Sequence, residues 1–190
     1  MALPPPAVVA RPAPPKGWLA TMVILAIMLA IPIGGYVAAK SVIGLPDKPI
    51  DAGHGVIVAV PEDWQYRGRF GSDNTVLLSH GTANVAITVQ DGTDERAPLA
   101  DLRTEWEATG TVSTGDTVAV TDARTDGKPA ARFPYSGTFP EEGPSSPVEG
   151  EVTGVRGAGF ITVFDAWAGK GQFINASGDV AQVIRETTIP

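Results

Sequence analysis

The sequence predicts an α+β domain, an antiparallel sheet flanked by helices, carried behind one N-terminal transmembrane helix. Three observations lead there. Residues 17–39 contain no charged side chain. Downstream, short runs of alternating apolar and polar residues are separated by Gly- and Pro-containing turns, the pattern of half-buried antiparallel strands. Two stretches, Pro98–Thr109 and Ser177–Thr187, break that alternation and space their apolar residues three and four apart, as helices do. Strands, helix, strands, helix is not the strict alternation that builds a parallel doubly wound sheet. It places helices on an antiparallel sheet.

The uncharged stretch comes first. It would make about 34 Å of helix, enough to cross a hydrocarbon core of about 30 Å. Trp18 and Tyr36 stand near its two ends, where amphipathic rings favour the headgroup layer. Residues 1–16, rich in proline, are too few to fold and read as a cytoplasmic tail. Arg11 and Lys16 precede the segment, and Lys40 and Lys48 follow it beside Asp47 and Asp51. The balance favours a cytoplasmic N-terminus and an extracytoplasmic C-terminal domain, hence a single-pass protein of the plasma membrane. Val37 and Ala39 would suit cleavage after Ala39, but the apolar run exceeds the roughly 7–15 residues of a signal-peptide core. Retention as a signal anchor is the expectation.

Composition narrows the function. The chain has 190 residues and a formal charge of −7, of which residues 1–39 contribute +2, so the remainder carries −9. So acidic a domain repels phosphate backbones, which argues against nucleic acid as a partner. There is no cysteine, so disulfides, thiolate metal sites, a Cys nucleophile and lipid attachment to a cysteine are excluded. With 22 Gly and 17 Pro, the chain suits a high-GC bacterial genome.

In order along the chain, residues 40–53 read as an irregular tether, broken by Pro46 and Pro49. The domain spans 54–190. Gly55–Val60 reads as a strand ended by Pro61, with a turn delivering Trp64. Gln65–Phe70, Thr75–Ser79 and Asn84–Gln90 read as three more. In the first helix Leu99, Leu102 and Trp106 share a face, with Pro98 in the first turn and Gly110 just past the end. Strands follow at Thr117–Thr121, Ala130–Thr138, Val148–Arg156 and Gly159–Trp167. Asp126-Gly127 is expected to turn the first of these into the second, and Glu141–Pro147 to loop between strands. The last helix places Val180, Val183, Ile184 and Thr187 on one face, with Ser177 or Asp179 as its cap.

Chemical signatures are sparse. His54 and His80 are the only histidines, each flanked by glycine, and neither has an orienting carboxylate or second ligand at legible spacing. Asp91, Asp94 and Glu95 form an acidic turn without the alternating oxygen ligands of a calcium loop. The glycines of Gly154–Gly159 lie between two strands, so no helix N-terminus awaits a phosphate. No catalytic, cofactor-binding or metal-ligating residue is therefore assigned. Most aromatics fall on core faces. Trp64, beside Tyr66, Arg67 and Arg69, is the one candidate contact patch, because Trp, Tyr and Arg dominate binding hot spots.

Four segments together carry a resemblance: V-x-V-P-x-x-W at Val58–Trp64, D-L-x-x-x-W at Asp101–Trp106, D-G-K-P-A-x-x-F-x-Y at Asp126–Tyr135 and D-V-x-x-V-I at Asp179–Ile184. In these the chain resembles the PsbP-like fold of an extrinsic photosystem II protein, also found in bacterial surface lipoproteins and a eukaryotic nuclear-transport factor. The resemblance covers about residues 54–190. It implies an α/β/α sandwich used for binding or assembly, and it supplies no shared catalytic residue. The expected function is a non-enzymatic binding or assembly module, an accessory subunit of a larger bacterial membrane complex. Its partners would be other membrane or envelope proteins, with the bilayer engaged through residues 17–39. The alternatives are an exported domain binding a lipid or cell-wall precursor, and a hydrolase built on His54 or His80.

Overall fold

Eight strands form one antiparallel sheet in a computed structural model that describes residues 49–70, 75–121, 123–124, 126–138 and 146–190. The expected membrane helix, with Trp18 and Tyr36, lies outside the described residues, as do residues 40–48 of the tether. Twelve elements follow: β1 (Ile50–Asp51), β2 (Ile57–Val58), β3 (Gln65–Phe70), β4 (Thr75–His80), β5 (Ala83–Asp91), α1 (Ala97–Ala108), β6 (Val112–Thr114), β7 (Val118–Val120), β8 (Ala130–Gly137), β9 (Val148–Arg156), β10 (Phe160–Gly169) and α2 (Phe173–Glu186). The sheet runs β3-β4-β5-β10-β9-β8-β6, with β7 also on β8, and β1 and β2 form a separate hairpin. This is the α+β architecture with an antiparallel sheet and two helices that the sequence predicts.

Alternation along the strands divides the core. On β10, Phe160, Phe164 and Ala166 face one side and pack with Val76, Leu78, Val85, Ile87 and the α2 residues Val180, Val183 and Ile184. Ile161 and Val163 face the other and pack with Leu99, Phe133, Tyr135 and Val152, under α1. The helices thus lie on opposite faces of the sheet. α1 approaches β9 closely because residue 154 is glycine. A Cβ there would stand 2.8 Å from Leu99 Cδ1 and 2.6 Å from the Glu95 carbonyl oxygen. Beyond α1, Gly110 takes φ +68°, the left-handed turn that glycine provides at a helix end.

Some elements depart from the sequence expectation. The tether is not wholly irregular: Ile50–Asp51 pairs with Ile57–Val58. β6 is an additional short strand. Asp126-Gly127 does not make a two-residue hairpin. β7 pairs with β8 from Val120 and Ala130, so a longer connection lies between them, and within it Asp126 Oδ1 accepts the Lys128 N–H at 3.3 Å. The last helix begins earlier, at Phe173, and Ser177 sits inside it, donating to the Ile174 carbonyl at 2.9 Å. Its N-terminus is served from another strand, where Glu149 Oε1 accepts the Phe173 N–H at 3.0 Å. A carboxylate there satisfies an unpaired donor and faces the positive end of the helix dipole. Glu149→Gln is expected to cost about 0.5–1 kcal/mol. Chemical denaturation should show a lowered midpoint at unchanged slope.

Candidate functional site

The α2 face of the sheet does not close completely. Arg132, Pro134 and Ser136 of β8 and Glu149, Glu151 and Thr153 of β9 are on this face, by the same alternation that sends Phe133, Tyr135 and Val152 to the other. The first two turns of α2 stand over them and leave an open groove of about 640 Å³, lined by Pro134, Glu149, Glu151, Phe173, Ile174 and Ser177. It leads to a smaller space of about 210 Å³ bounded by Arg132, Thr153, Val180 and Ile184. At the rim Ile174 is 76% exposed. An isoleucine in that position covers nothing in the domain itself.

The groove floor is charged. Arg132 Nη1 lies 3.5 Å from Glu151 Oε1. Burial pushes the Glu151 carboxyl up, and Arg132 partly offsets that. With Glu149 held on the helix N-terminus, the floor offers two carboxylates against one guanidinium.

A second polar cluster lies on the α1 face. Tyr135 and Trp167 flank Gly150 in register on β8, β10 and β9. A Cβ at Gly150 would stand 2.7 Å from Tyr135 Cζ, so the missing side chain lets the tyrosine ring lie across β9. Its hydroxyl thereby donates to Asp165 Oδ1 at 2.7 Å. The Trp106 ring meets Tyr135 edge-on, with centroids 4.7 Å apart. Burial pushes the Asp165 carboxyl up to about 6, against the lowering effect of the Tyr135 bond. Burial also raises the Tyr135 phenol far above its ordinary value, and the Asp165 charge adds to it.

The expected patch at Trp64, Tyr66, Arg67 and Arg69 is not continuous. Trp64 is 4% exposed and belongs to the core. Asp63 adopts φ +73°, and the turn sends the indole inward, where its ring meets His80 with centroids 5.7 Å apart. Tyr66 packs partly on the same core. Arg67 Nε donates to Ser79 Oγ at 2.6 Å, and Arg69 donates to the Asp51 carbonyl. Arg67, Arg69 and Phe70 stay exposed on β3, without Trp64.

Both histidines do face carboxylates, which the sequence did not reveal. His54 Nε2 lies 3.5 Å from Asp91 Oδ1 and stacks on Phe160. His80 Nδ1 lies 3.3 Å from Asp179 Oδ2, joining β4 to α2. Among the described residues neither imidazole is hydrogen-bonded to a hydroxyl that could act as a nucleophile, and no three His, Asp or Glu side chains are grouped to hold a metal ion. The acidic turn diverges: Asp91 faces His54, Asp94 accepts the Arg96 N–H, and Glu95 pairs with Arg156 at 3.5 Å. No helix among the described residues is long and apolar enough to cross a membrane.

No protein-family model and no curated protein sequence matches the chain. Solved structures do. LpqN of Mycobacterium tuberculosis, involved in cell envelope biogenesis, aligns with a TM-score of 0.46 at 20% identity, covering 77% of this chain and 87% of that one. Cyanobacterial PsbP from Synechocystis aligns with a TM-score of 0.51 at 13% identity, covering 74% of this chain and 89% of that one. The domain has a PsbP-like fold.

Proposed function

We propose that this chain is a non-enzymatic, single-pass membrane protein whose extracytoplasmic domain binds other envelope proteins as an accessory subunit of a larger complex. The observation that carries this reading is the open groove beside α2, with Ile174 exposed on its rim above Glu149 and Glu151. A large exposed apolar side chain beside partly buried charge suits a protein contact, where an apolar anchor is ringed by polar groups. The uncharged residues 17–39 supply the membrane attachment, and Pro32 with Gly34-Gly35 would let a neighbouring helix approach closely. The alternative, an exported domain for a lipid or cell-wall precursor, calls for an enclosed apolar cleft. The inner space of about 210 Å³ falls below the roughly 300 Å³ at which drug-sized ligands begin to fit, and Arg132 and Glu151 line it. Extracted from native membranes in mild detergent, the full chain is expected to co-purify with a larger membrane complex. Recovery only as a free monomer would overturn the proposal.

A further inference from the structure

The sheet edge opposite the groove is basic and apolar. β3 ends the strand order, and Arg67, Arg69 and Phe70 on it are all exposed. Phe70, at 51%, is the one aromatic among the large apolar side chains exposed in the described residues. Gly68 takes φ +120° at the register shift between β3 and β4, and a Cβ there would stand 4.0 Å from Phe70 Cε2. The ring therefore lies back along the strand, towards the arginines. Both arginines donate to neutral acceptors, Arg67 to the Ser79 hydroxyl and Arg69 to the Asp51 carbonyl. Neither is within ion-pair distance of a carboxylate among the described residues. Beyond residue 39 the chain carries −9, so two neighbouring cations without counter-ions stand apart.

Arg69 also marks where the chain enters the domain. Asp51, whose carbonyl it holds, comes 12 residues after Ala39, the end of the uncharged stretch. A link of that length spans at most about 40 Å, and tethering of this kind raises effective concentration to the millimolar range. Weak contacts with the bilayer then suffice. Guanidinium groups pair with phosphate oxygens, and exposed Phe side chains enter the headgroup boundary. Charges more than about 8 Å away are largely screened, so acids elsewhere in the domain do not cancel this edge. We propose that Arg67, Arg69 and Phe70 dock the domain onto an anionic bilayer surface, the arginines on lipid phosphates and the Phe70 ring among the headgroups. The inference rests on the reading of residues 17–39 as a membrane anchor. Neighbouring strands lie about 4.8 Å apart, so β6, six places from β3 in the sheet, stands about 29 Å away. The groove, which Ser113 of β6 helps to line, is thereby left clear of lipid and open to a partner.

The test places the full chain in nanodiscs of phosphatidylcholine alone and of phosphatidylcholine mixed with phosphatidylglycerol, each containing a gadolinium-chelating lipid. The readout is paramagnetic broadening of the backbone amide resonances of Gly68, Arg69 and, as the distant control, Ser113. In the mixed bilayer Gly68 and Arg69 should broaden strongly and Ser113 little, because the effect falls steeply with distance. Arg67→Gln combined with Arg69→Gln should lower the ratio of docked to undocked domain about tenfold or more. Arg67→Lys combined with Arg69→Lys should retain most of it, since a phosphate also accepts a point charge. Phe70→Ser should weaken docking severalfold. Equal broadening in the two bilayers, no loss in the Gln pair, or stronger broadening at Ser113 than at Gly68 overturns the inference. A loss in the Lys pair as complete as in the Gln pair assigns the arginines to the fold and also overturns it. If the Gln pair instead loses a co-purifying protein while no lipid docking is seen, the edge belongs to an acidic protein and the lipid assignment falls. Retention of the chain in the discs on gel filtration is scored separately. A chain retained but not docked removes the inference and leaves the anchor standing; a chain not retained removes both.

Discussion

Arg124→Ala is expected to cost the domain about 2–4 kcal/mol, because one guanidinium satisfies several otherwise unpaired groups. Arg124 is only 9% exposed. Its Nη1 donates to the Ile184 carbonyl at 2.7 Å and to the Thr187 carbonyl at 2.6 Å, while Nη2 donates to Asp126 Oδ2 at 2.9 Å. The last carbonyls of a helix have no partner within it and carry the negative end of its dipole, so a buried cation there serves both needs. The same segment ties the chain end to β2, since Thr188 and Ile57 exchange backbone hydrogen bonds of 2.9 and 3.0 Å. Losing Arg124 should therefore loosen the end of α2 and the β1–β2 hairpin together. Arg124→Lys should recover only part of the loss, because an ammonium lacks the planar fork. Denaturation followed by tryptophan fluorescence would show it. An alanine variant within about 0.5 kcal/mol of the parent, the range of ordinary surface changes, would refute this role.

Asp165→Asn should do the opposite at neutral pH and stabilise the domain. A carboxyl pushed up to about 6 in the fold, from about 3.9 unfolded, binds its proton more tightly in the folded state. The stability this provides is complete below about pH 4 and is lost as pH rises through about 6. Two units correspond to about 3 kcal/mol as an upper bound. Asp126 has the opposite sign. The Arg124 hydrogen bond lowers its carboxyl, so its contribution is present above the unfolded value and lost in acid. The Asn variant keeps an acceptor for Tyr135, so it should be about 1–3 kcal/mol more stable at neutral pH. It should also lack the parent's fall in stability between pH 4 and 6. A variant equal to the parent at neutral pH, or with the same pH profile, would contradict it.

The sequence revealed what local spacing encodes. Leu99, Leu102 and Trp106 marked α1, and the strands around Val85, Phe133 and Val152 stood out by alternation. The segments that carry the fold resemblance consist largely of core residues: Val58, Trp64, Phe133, Tyr135, Val180, Val183 and Ile184 are all buried. Contacts between distant segments stayed hidden. The start of α2 was displaced because its N-terminal partner, Glu149, comes from another strand. Arg124 sits inside a polar T-D-A-R-T-D-G run whose local spacing carries no sign of burial, yet it reaches a helix end 60 residues away in sequence. Asp165 gave no signal, since its burial and its Tyr135 partner follow from strand register and from the bare backbone at Gly150. Trp64 misled because a hot-spot residue type after a turn says nothing about which way the turn faces.

The groove beside α2 is the proposed place where this domain meets another envelope protein. Its most direct test is quantitative co-purification from native membranes of the full chain and of Ile174→Asp in parallel. The side chain is exposed, and an acid in the first turn of a helix suits its dipole, so the variant should fold. The account predicts that the parent brings down a larger complex and that the variant, equally abundant and equally stable, does not. Equal recovery of the same complex by both would contradict it.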